Sequence, residues 1–273
     1  MCATLLGVVF VVCSIYVGDR NDSLRVFFLD VGQGDAIYIR TPNGRDMLID
    51  GGPGRVVLQR LSEVMPWYDK AIDVVLETHP DADHIGGLPE VLSRYHVGLF
   101  IEPGVNSPNA IDDEIGRIRK ERSIDRVFAR RGMRINFGDG THFDVLYPDV
   151  DPSHLETNQA SVVGRLVYGS TSVMFTGDSP KVVENHLIEI DGGRLQSDIL
   201  KAGHHGSRTS SGEAFVKMVA PAVAIISSGK ANRYGHPHKE VVEIFNKFGI
   251  QIQRTDKEGT IGYVLDGVKI RRQ

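Results

Sequence analysis

From residue 23 onward, apolar positions recur in short bursts. "LRVFFLD" (24–30), "AIYIRT" (36–41), "DMLID" (46–50) and "DVVLET" (73–78) are β-branched and aromatic runs bounded by Gly, Pro and Asn. Such runs are the mark of buried strands. Longer helix-like stretches, such as 86–95 and 110–121, alternate with them. The second half repeats the alternation with "RLVYGSTSVMFTGD" (165–178), "SDILKAGHHG" (197–206), "AVAIISSG" (222–229) and "GYVLDGVKIRR" (262–272). The pattern predicts an α/β fold. Neither a repeat nor a low-complexity tract interrupts it. The cluster "YPDVDPSHLETN" (147–158) gathers turn formers and predicts a topological break near 145–160, between halves of similar size.

The start of the chain is different. Met1 to Val17 carries no charge and is nearly all apolar, after which "GDRNDS" turns polar at once. That length is at the lower edge of a membrane span, for which about 20 residues is typical. The segment lacks the basic start of an ordinary signal peptide, and "VVC" before Ser14 is a poor lipoprotein site. Residues 1–22 are therefore expected to be a hydrophobic anchor or uncleaved signal, with a buried strand or helix as the alternative. A single domain is expected over 23–273, on the extracytoplasmic side of a membrane.

Composition narrows the classes. The 273 residues are 41% hydrophobic and 24% charged, enough to bury a full core. Lys and Arg total 31 against 35 acids, so no global basic field marks a nucleic-acid binder, and a polyanion would have to be held locally. Cys2 and Cys13 both precede the globular part, which excludes a Cys-rich zinc module.

The chemistry concentrates in "ETHPDADHIGG" (77–87), which follows an apolar strand run and leads into a helix opened by glycines. His79, Asp81, Asp83 and His84 then lie at a strand's C-terminal end, where α/β sheets collect ligands. Carboxylates crowded there repel each other unless a cation intervenes, and imidazole with carboxylate suits a first-row divalent metal. The alternative is that Asp81 and Asp83 cap the helix and the histidines are solvated. "MFTGD" sets Asp178 at the end of another strand, either as a metal ligand or as a cap for the helix starting at Pro180. "AGHHGS" repeats the design with His204 and His205. "DVGQGDA", with Gln33 and Asp35, reads equally as a tight turn or as a substrate contact.

"HPDADHIGG" resembles the H-x-H-x-D-H signature of the metallo-β-lactamase superfamily with its second histidine replaced by Asp81. That departure is shared with the hydrolase domain of the competence DNA-uptake family ComEC/Rec2. "LDVGQGDAIYI" (29–39), "LIDGG" (48–52), "TGDSP" (176–180), "LKAGHHGSRTS" (200–210) and "SSGKANRYGHPH" (227–238) resemble the same branch in the same order. The chain looks like that hydrolase domain with at most one anchor, without the family's many-helix channel.

The resemblance implies a four-layer αββα sandwich holding two divalent ions, Mn²⁺ or Zn²⁺, on His79, Asp81, Asp83, His84, Asp178 and His205. Asp178 would bridge them. His205 is favoured over His204 as ligand because the superfamily's nucleases tend to show His-x-Ser there; His204 would support it or face the substrate. Asp50 would accept the far N–H of a ligand histidine. Asn158 and Ser161 stand where the superfamily usually supplies a third histidine, and His154 lies outside the matched block. The first ion's site thus leans toward oxygen, which favours Mn²⁺.

The implied reaction is hydrolysis of a phosphodiester in single-stranded DNA, with Asp83, His205 and His236 catalytic. Ser207, Arg208, Lys230, Asn232, Arg233, Tyr234 and His238 would contact substrate, and Lys239 would add to a positive rim. A membrane DNA-channel protein is the implied partner. "RIRKER" (117–122) and "ARRGMR" (129–134) are read as solvated faces. Hydrolysis of a small ester, lactone or small phosphodiester, and an inactive DNA-holding module, are the competing expectations.

Overall fold

In the computed structural model, residues 23–105 and 107–273 are described. The expected anchor at 1–22 lies outside them. Among the described residues, no helix is long and apolar enough to cross a membrane.

Two sheets form. The first has the order β15-β14-β1-β2-β3-β4-β5-β6, with β1 Leu24–Phe28, β2 Ile37–Arg40, β3 Asp46–Ile49, β4 Ala71–Leu76, β5 His96–Glu102, β6 Asp125–Phe128, β14 Ile261–Leu265 and β15 Ile270–Arg272. The second runs β13-β12-β11-β10-β9-β8-β7, with β7 Arg134–Asn136, β8 His142–Tyr147, β9 Val163–Tyr168, β10 Thr171–Phe175, β11 Ile199–Lys201, β12 Val223–Ile226 and β13 Gln251–Arg254. The apolar runs of the sequence become these strands.

Period-two alternation then sorts the side chains into layers. Met47, Ile49, Val74 and Leu76 turn inward and meet Val145, Leu166, Val173 and Ile225 of the second sheet. The Phe175 ring sits 6.3 Å from Phe28 and 6.0 Å from Phe143, so aromatic contacts bind the sheets face to face. Leu48, Val75 and Phe100 turn outward beneath helices Val56–Val64, Leu88–Arg94 and Ala110–Glu121. Met174, Leu200 and Ala224 do the same beneath Lys181–Asp191, Glu213–Val219 and Lys239–Lys247. The result is the αββα sandwich.

The topological break differs from the expectation. The chain leaves the first sheet after β6 and enters the second at β7, well before 145–160. The turn-former cluster merely joins β8 to its antiparallel neighbour β9, and the β14–β15 hairpin returns to the first sheet beside β1. Turn formers mark where a chain reverses, not which layer the next strand joins. The true crossover is "ARRGMR", and its arginines serve the fold. Arg131 makes a bidentate pair with Asp191 at 2.7 Å, and Arg134 pairs with Asp144. Arg117 is likewise paired with Glu114 and Glu121 on its own helix, as a solvated face should be.

β3 through β6 run parallel, as do β10 through β13, so several chain segments emerge at one edge. Close backbone approach there depends on glycine. Gly34 has φ +129°, and a Cβ on it would fall 2.0 Å from the Asp83 carbonyl oxygen. The next residue's N–H donates to that same oxygen at 3.3 Å. Gly34→Ala is therefore expected to lower stability by more than about 2 kcal/mol and to reduce metal retention. Gly54→Ala, where nothing lies within 4 Å, should change little. Thermal unfolding and metal analysis of both variants check this, and equal behaviour would refute it.

Candidate metal centre

Asp50 ends β3 and is the organising group. Its backbone is left-handed, at φ 58°, a costly state for a non-glycine residue that persists only where its surroundings fix it. Its carboxylate accepts from the Thr78 N–H at 2.8 Å, from the Thr78 hydroxyl at 2.7 Å and from His84 Nδ1 at 2.8 Å. Because Thr78 has given its hydroxyl hydrogen to Asp50, its oxygen can only accept from His79 Nδ1, 3.0 Å away. His205 Nδ1 in turn lies 3.1 Å from the Ser227 carbonyl at the end of β12. His79, His84 and His205 are thus each anchored through Nδ1, which turns each Nε2 toward the same space.

That space is lined with carboxylates. Asp178, at the end of β10, has Oδ1 3.3 Å from His84 Nε2. Its Oδ2 is 3.5 Å from His205 Nε2, 3.5 Å from His204 Nε2 and 4.0 Å from His79 Nε2. Asp83 Oδ2 is 3.3 Å from His205 Nε2, and Asp81 Oδ2 is 3.7 Å from His79 Nε2. Two groupings result, His79 with Asp81 and His84 with Asp83 and His205, with Asp178 between them. The capping alternatives find no support. Asp81 precedes the short helix Ala82–Ile85 and makes no side-chain cap bond. The helix after Asp178 likewise has none at its start.

The donor set fits divalent cations. His79 Nε2 and Asp178 Oδ1 are buried without any hydrogen-bond partner, a state that costs free energy unless something binds them. Charge tells the same story. Burial opposes ionisation of Asp178, but His205 and His84 hold its carboxyl well below the usual range. Burial would also lower His205, yet Asp178 and Asp35 raise it to about 9. His79 is pushed down to about 4, by burial and then by the neighbouring His84.

Asp35 and Lys201 complete the centre, in roles that the turn pattern of "DVGQGDA" did not disclose. Both are fully buried and paired at 2.7 Å. Asp35 also lies within ligand distance of His84, Asp178 and His205. However, its Oδ1 is 3.4 Å from His205 Nδ1, the nitrogen facing away from the centre. It sits behind the His205 ring, and its other oxygen is held by Lys201. It is best read as a support for His205.

The remaining expected residues fall at varied distances. Asn158 opens a 3-10 turn, Asn158–Ala160, with a buried, unpartnered Oδ1, and Ser161 Oγ accepts the Asp178 N–H at 3.3 Å. His154 is exposed. The 227–238 loop arches beside the donors. Arg233 lies 4.9 Å over the Tyr234 ring, Tyr234 stacks on His236 at 5.5 Å, and His236 is 5.7 Å from His204.

Some expected substrate groups are already engaged. The Asn232 amide bonds Gly229 O, His236 O and His236 N–H, which folds the loop on itself. His238 Nδ1 accepts from the Arg208 N–H, and Ser207 Oγ accepts from Thr209. Lys239 belongs less to the rim than expected, because its ammonium reaches Glu243 one turn along its own helix at 3.1 Å. Lys230 and Arg208 are exposed.

An αββα sandwich with histidines and carboxylates gathered where its parallel strands end is the architecture of a metal-dependent hydrolase. The sequence pattern of the metallo-β-lactamase superfamily matches residues 29–230, and the chain belongs to that superfamily, in its ComEC/Rec2 competence branch. It is 31% identical to ComE operon protein 3 of Bacillus subtilis strain 168, over 96% of this chain and 35% of that protein. It is 32% identical to Competence protein ComA of Neisseria gonorrhoeae, over 89% and 33% of the two chains. The chain thus spans about a third of the length of these relatives, 35% and 33%. Among solved structures, the metallo-β-lactamase fold protein YhfI from Bacillus subtilis matches with a TM-score of 0.61 at 12% identity, over 89% of this chain and all of that one. That likeness speaks for the fold alone.

Two expectations follow. Lys201→Met leaves the buried Asp35 carboxylate with only its longer contact to His205, and should cost about 3 kcal/mol in chemical denaturation. Adding Asp35→Asn should recover part of the loss, and additive losses would contradict the pairing. The second concerns pH. His205 rises from 6.5 to about 9 in the metal-free fold, so its contribution is full below pH 6.5 and lost as pH rises through about 9. The chelator-stripped protein should therefore melt at progressively lower temperature across that window, whereas the metal-loaded protein should not. Parallel pH profiles for the two forms would contradict the assignment.

Proposed function

We propose that this chain is a divalent-metal-dependent phosphodiesterase that cleaves single-stranded DNA during DNA uptake, on the outer side of a membrane. The observation that carries the reading is a cleft of 470 Å³ beside the donors, lined by Gln33, Pro53, Ala82, Asp83, Asn232, Arg233 and Tyr234. At one end Asp83 belongs to the donor set. At the other the Tyr234 ring is 48% exposed, with the Arg233 guanidinium against it. A base can stack on such a ring while the guanidinium binds the adjacent phosphate, and every nucleobase has a face to offer. The name of the Neisseria gonorrhoeae relative, Competence protein ComA, supports a setting in competence, to which DNA uptake belongs in this reading.

In this reading His79, Asp81 and Asp178 hold one ion, and Asp83, His84, His205 and Asp178 hold a second. Mn²⁺ or Zn²⁺ bound there would make water acidic enough to supply a nucleophile near neutral pH and would offset phosphate charge. Asp50, Thr78 and the Ser227 carbonyl keep the three imidazoles aimed. Asp83 stays ionised because His205 and His84 outweigh the effect of burial. His236 is lowered to about 4 by burial and by His205, so it acts as a neutral imidazole. It can donate an N–H to a phosphate oxygen rather than transfer a full positive charge. Arg233 and Tyr234 hold the strand, with Arg208 and Lys230 as outer contacts.

Cleavage of a fluorescent single-stranded oligonucleotide by protein stripped and reloaded with Mn²⁺ or Zn²⁺ tests this. Asp178→Ala should empty both ions together and abolish cutting. His236→Ala should keep the metal and slow turnover by about 10²–10³. Strand binding without cutting, across several ions, would replace the reading with a DNA-holding module. Equal rates on dinucleotides and long strands would replace it with a small-phosphodiester hydrolase.

A further inference from the structure

Outside the histidine-rich centre, three acids converge with no histidine among them. Phe100 of β5 faces the outer helices, and Glu102, two residues on, faces the same way. By the same alternation Glu77 follows Val75 of β4, and Asp112 comes from the first turn of the overlying helix Ala110–Glu121. One oxygen from each of Glu77, Glu102 and Asp112 lies within 4.8 Å of the others. That separation is about twice a Ca²⁺–oxygen distance of roughly 2.4 Å, the spread expected of ligands around one ion.

Proximity alone would not mark a site. The deciding observation is Glu77, which is 3% exposed, contributes one oxygen to this cluster and leaves its Oε2 without a hydrogen-bond partner. Ionising a buried carboxyl that has no partner is costly, so the group stays protonated unless a cation meets its charge. The nearby arginines offset it only in part. Arg126 binds one oxygen of Glu102 at 3.0 Å, and Arg119 directs its Nη1 to the Ile124 carbonyl. Burial raises both the Glu102 and Asp112 carboxyls, with the Asp112 charge adding to it for Glu102 and the Asp113 charge adding to it for Asp112.

We propose that Glu77, Glu102 and Asp112 bind one hard divalent cation of the calcium class. The donors are all oxygen, which suits Ca²⁺ over Zn²⁺. Glu102 and Asp112 also line a cavity of 920 Å³, which gives water access to complete the coordination shell. The cation would join β4, β5 and the overlying helix at the root of the loop carrying His79 and His84. Glu77 directly precedes Thr78, whose hydroxyl holds Asp50 and His79. The three acids are distinct from the histidine-rich donor set beside them, and the readouts below are metal content and melting rather than hydrolysis.

The protein, loaded with Zn²⁺, is dialysed against Ca²⁺, and both metals are counted while thermal unfolding is followed. One Ca²⁺ per chain and a melting temperature that rises with Ca²⁺ are expected, with Zn²⁺ retained. The Glu102→Gln, Asp112→Asn double variant should keep its Zn²⁺ and lose Ca²⁺ affinity by at least 100-fold, with no calcium dependence of melting. Asp112→Asn alone, at a half-buried position, should weaken binding without threatening the fold. No Ca²⁺ on the parent protein, or undiminished Ca²⁺ on the variants, would overturn the proposal.

Discussion

A carboxylate buried at the meeting edge of two sheets has to be matched by positive charge, and Asp178 is placed under that constraint. It lies within 4.0 Å of His79, His84, His204 and His205, which come from two chain segments, one following a strand of each sheet. In the metal-free chain, protonated imidazoles provide the match, and this is why His84 and His205 are raised while Asp178 is lowered. Cations can take over the same role. Divalent cations on the same donors would compete with those protons, which would couple metal loading to pH.

Holding those imidazoles in register takes a second ring of groups. Asp50, Thr78 and the Ser227 carbonyl each fix one Nδ1, and the Asp35–Lys201 pair closes the back of His205. The backbone supports this at some cost. Asp50, His204 and His205 all take left-handed φ values, of 58°, 50° and 55°. Strain gathered at three residues of one cluster is what a binding site imposes on its fold. The sandwich behind it, packed through Phe28, Phe143 and Phe175, gives the rigidity to sustain it.

Much of this was legible in the chain. Apolar runs such as "DVVLET" and "AVAIISSG" marked the strands, and the density of His and Asp after them marked the edge where the centre forms. The structure brings His79, Asp81, Asp83, His84, Asp178 and His205 into one cluster. Other features were hidden for physical reasons. Asp35 and Lys201 are far apart in sequence and resemble a turn residue and a surface lysine until folding buries them together. Asn232 resembled a substrate contact, because no local pattern reveals that its amide is spent on the Gly229–His236 loop. The layer change after β6 leaves little trace in the sequence because "ARRGMR" contains few turn formers, whereas the conspicuous cluster at 147–158 joins two neighbouring strands.

If the crowding at the strand edge serves to hold cations, they should be found around Asp178. A crystal structure of the Mn²⁺-loaded protein, with the ions located by anomalous scattering, tests it most directly. Two peaks are expected on either side of the Asp178 carboxylate, one against His79 and Asp81 and the other against Asp83, His84 and His205. A single ion seated on Asp35 with Lys201 displaced, or density that leaves His79 Nε2 and Asp178 without metal, would contradict it.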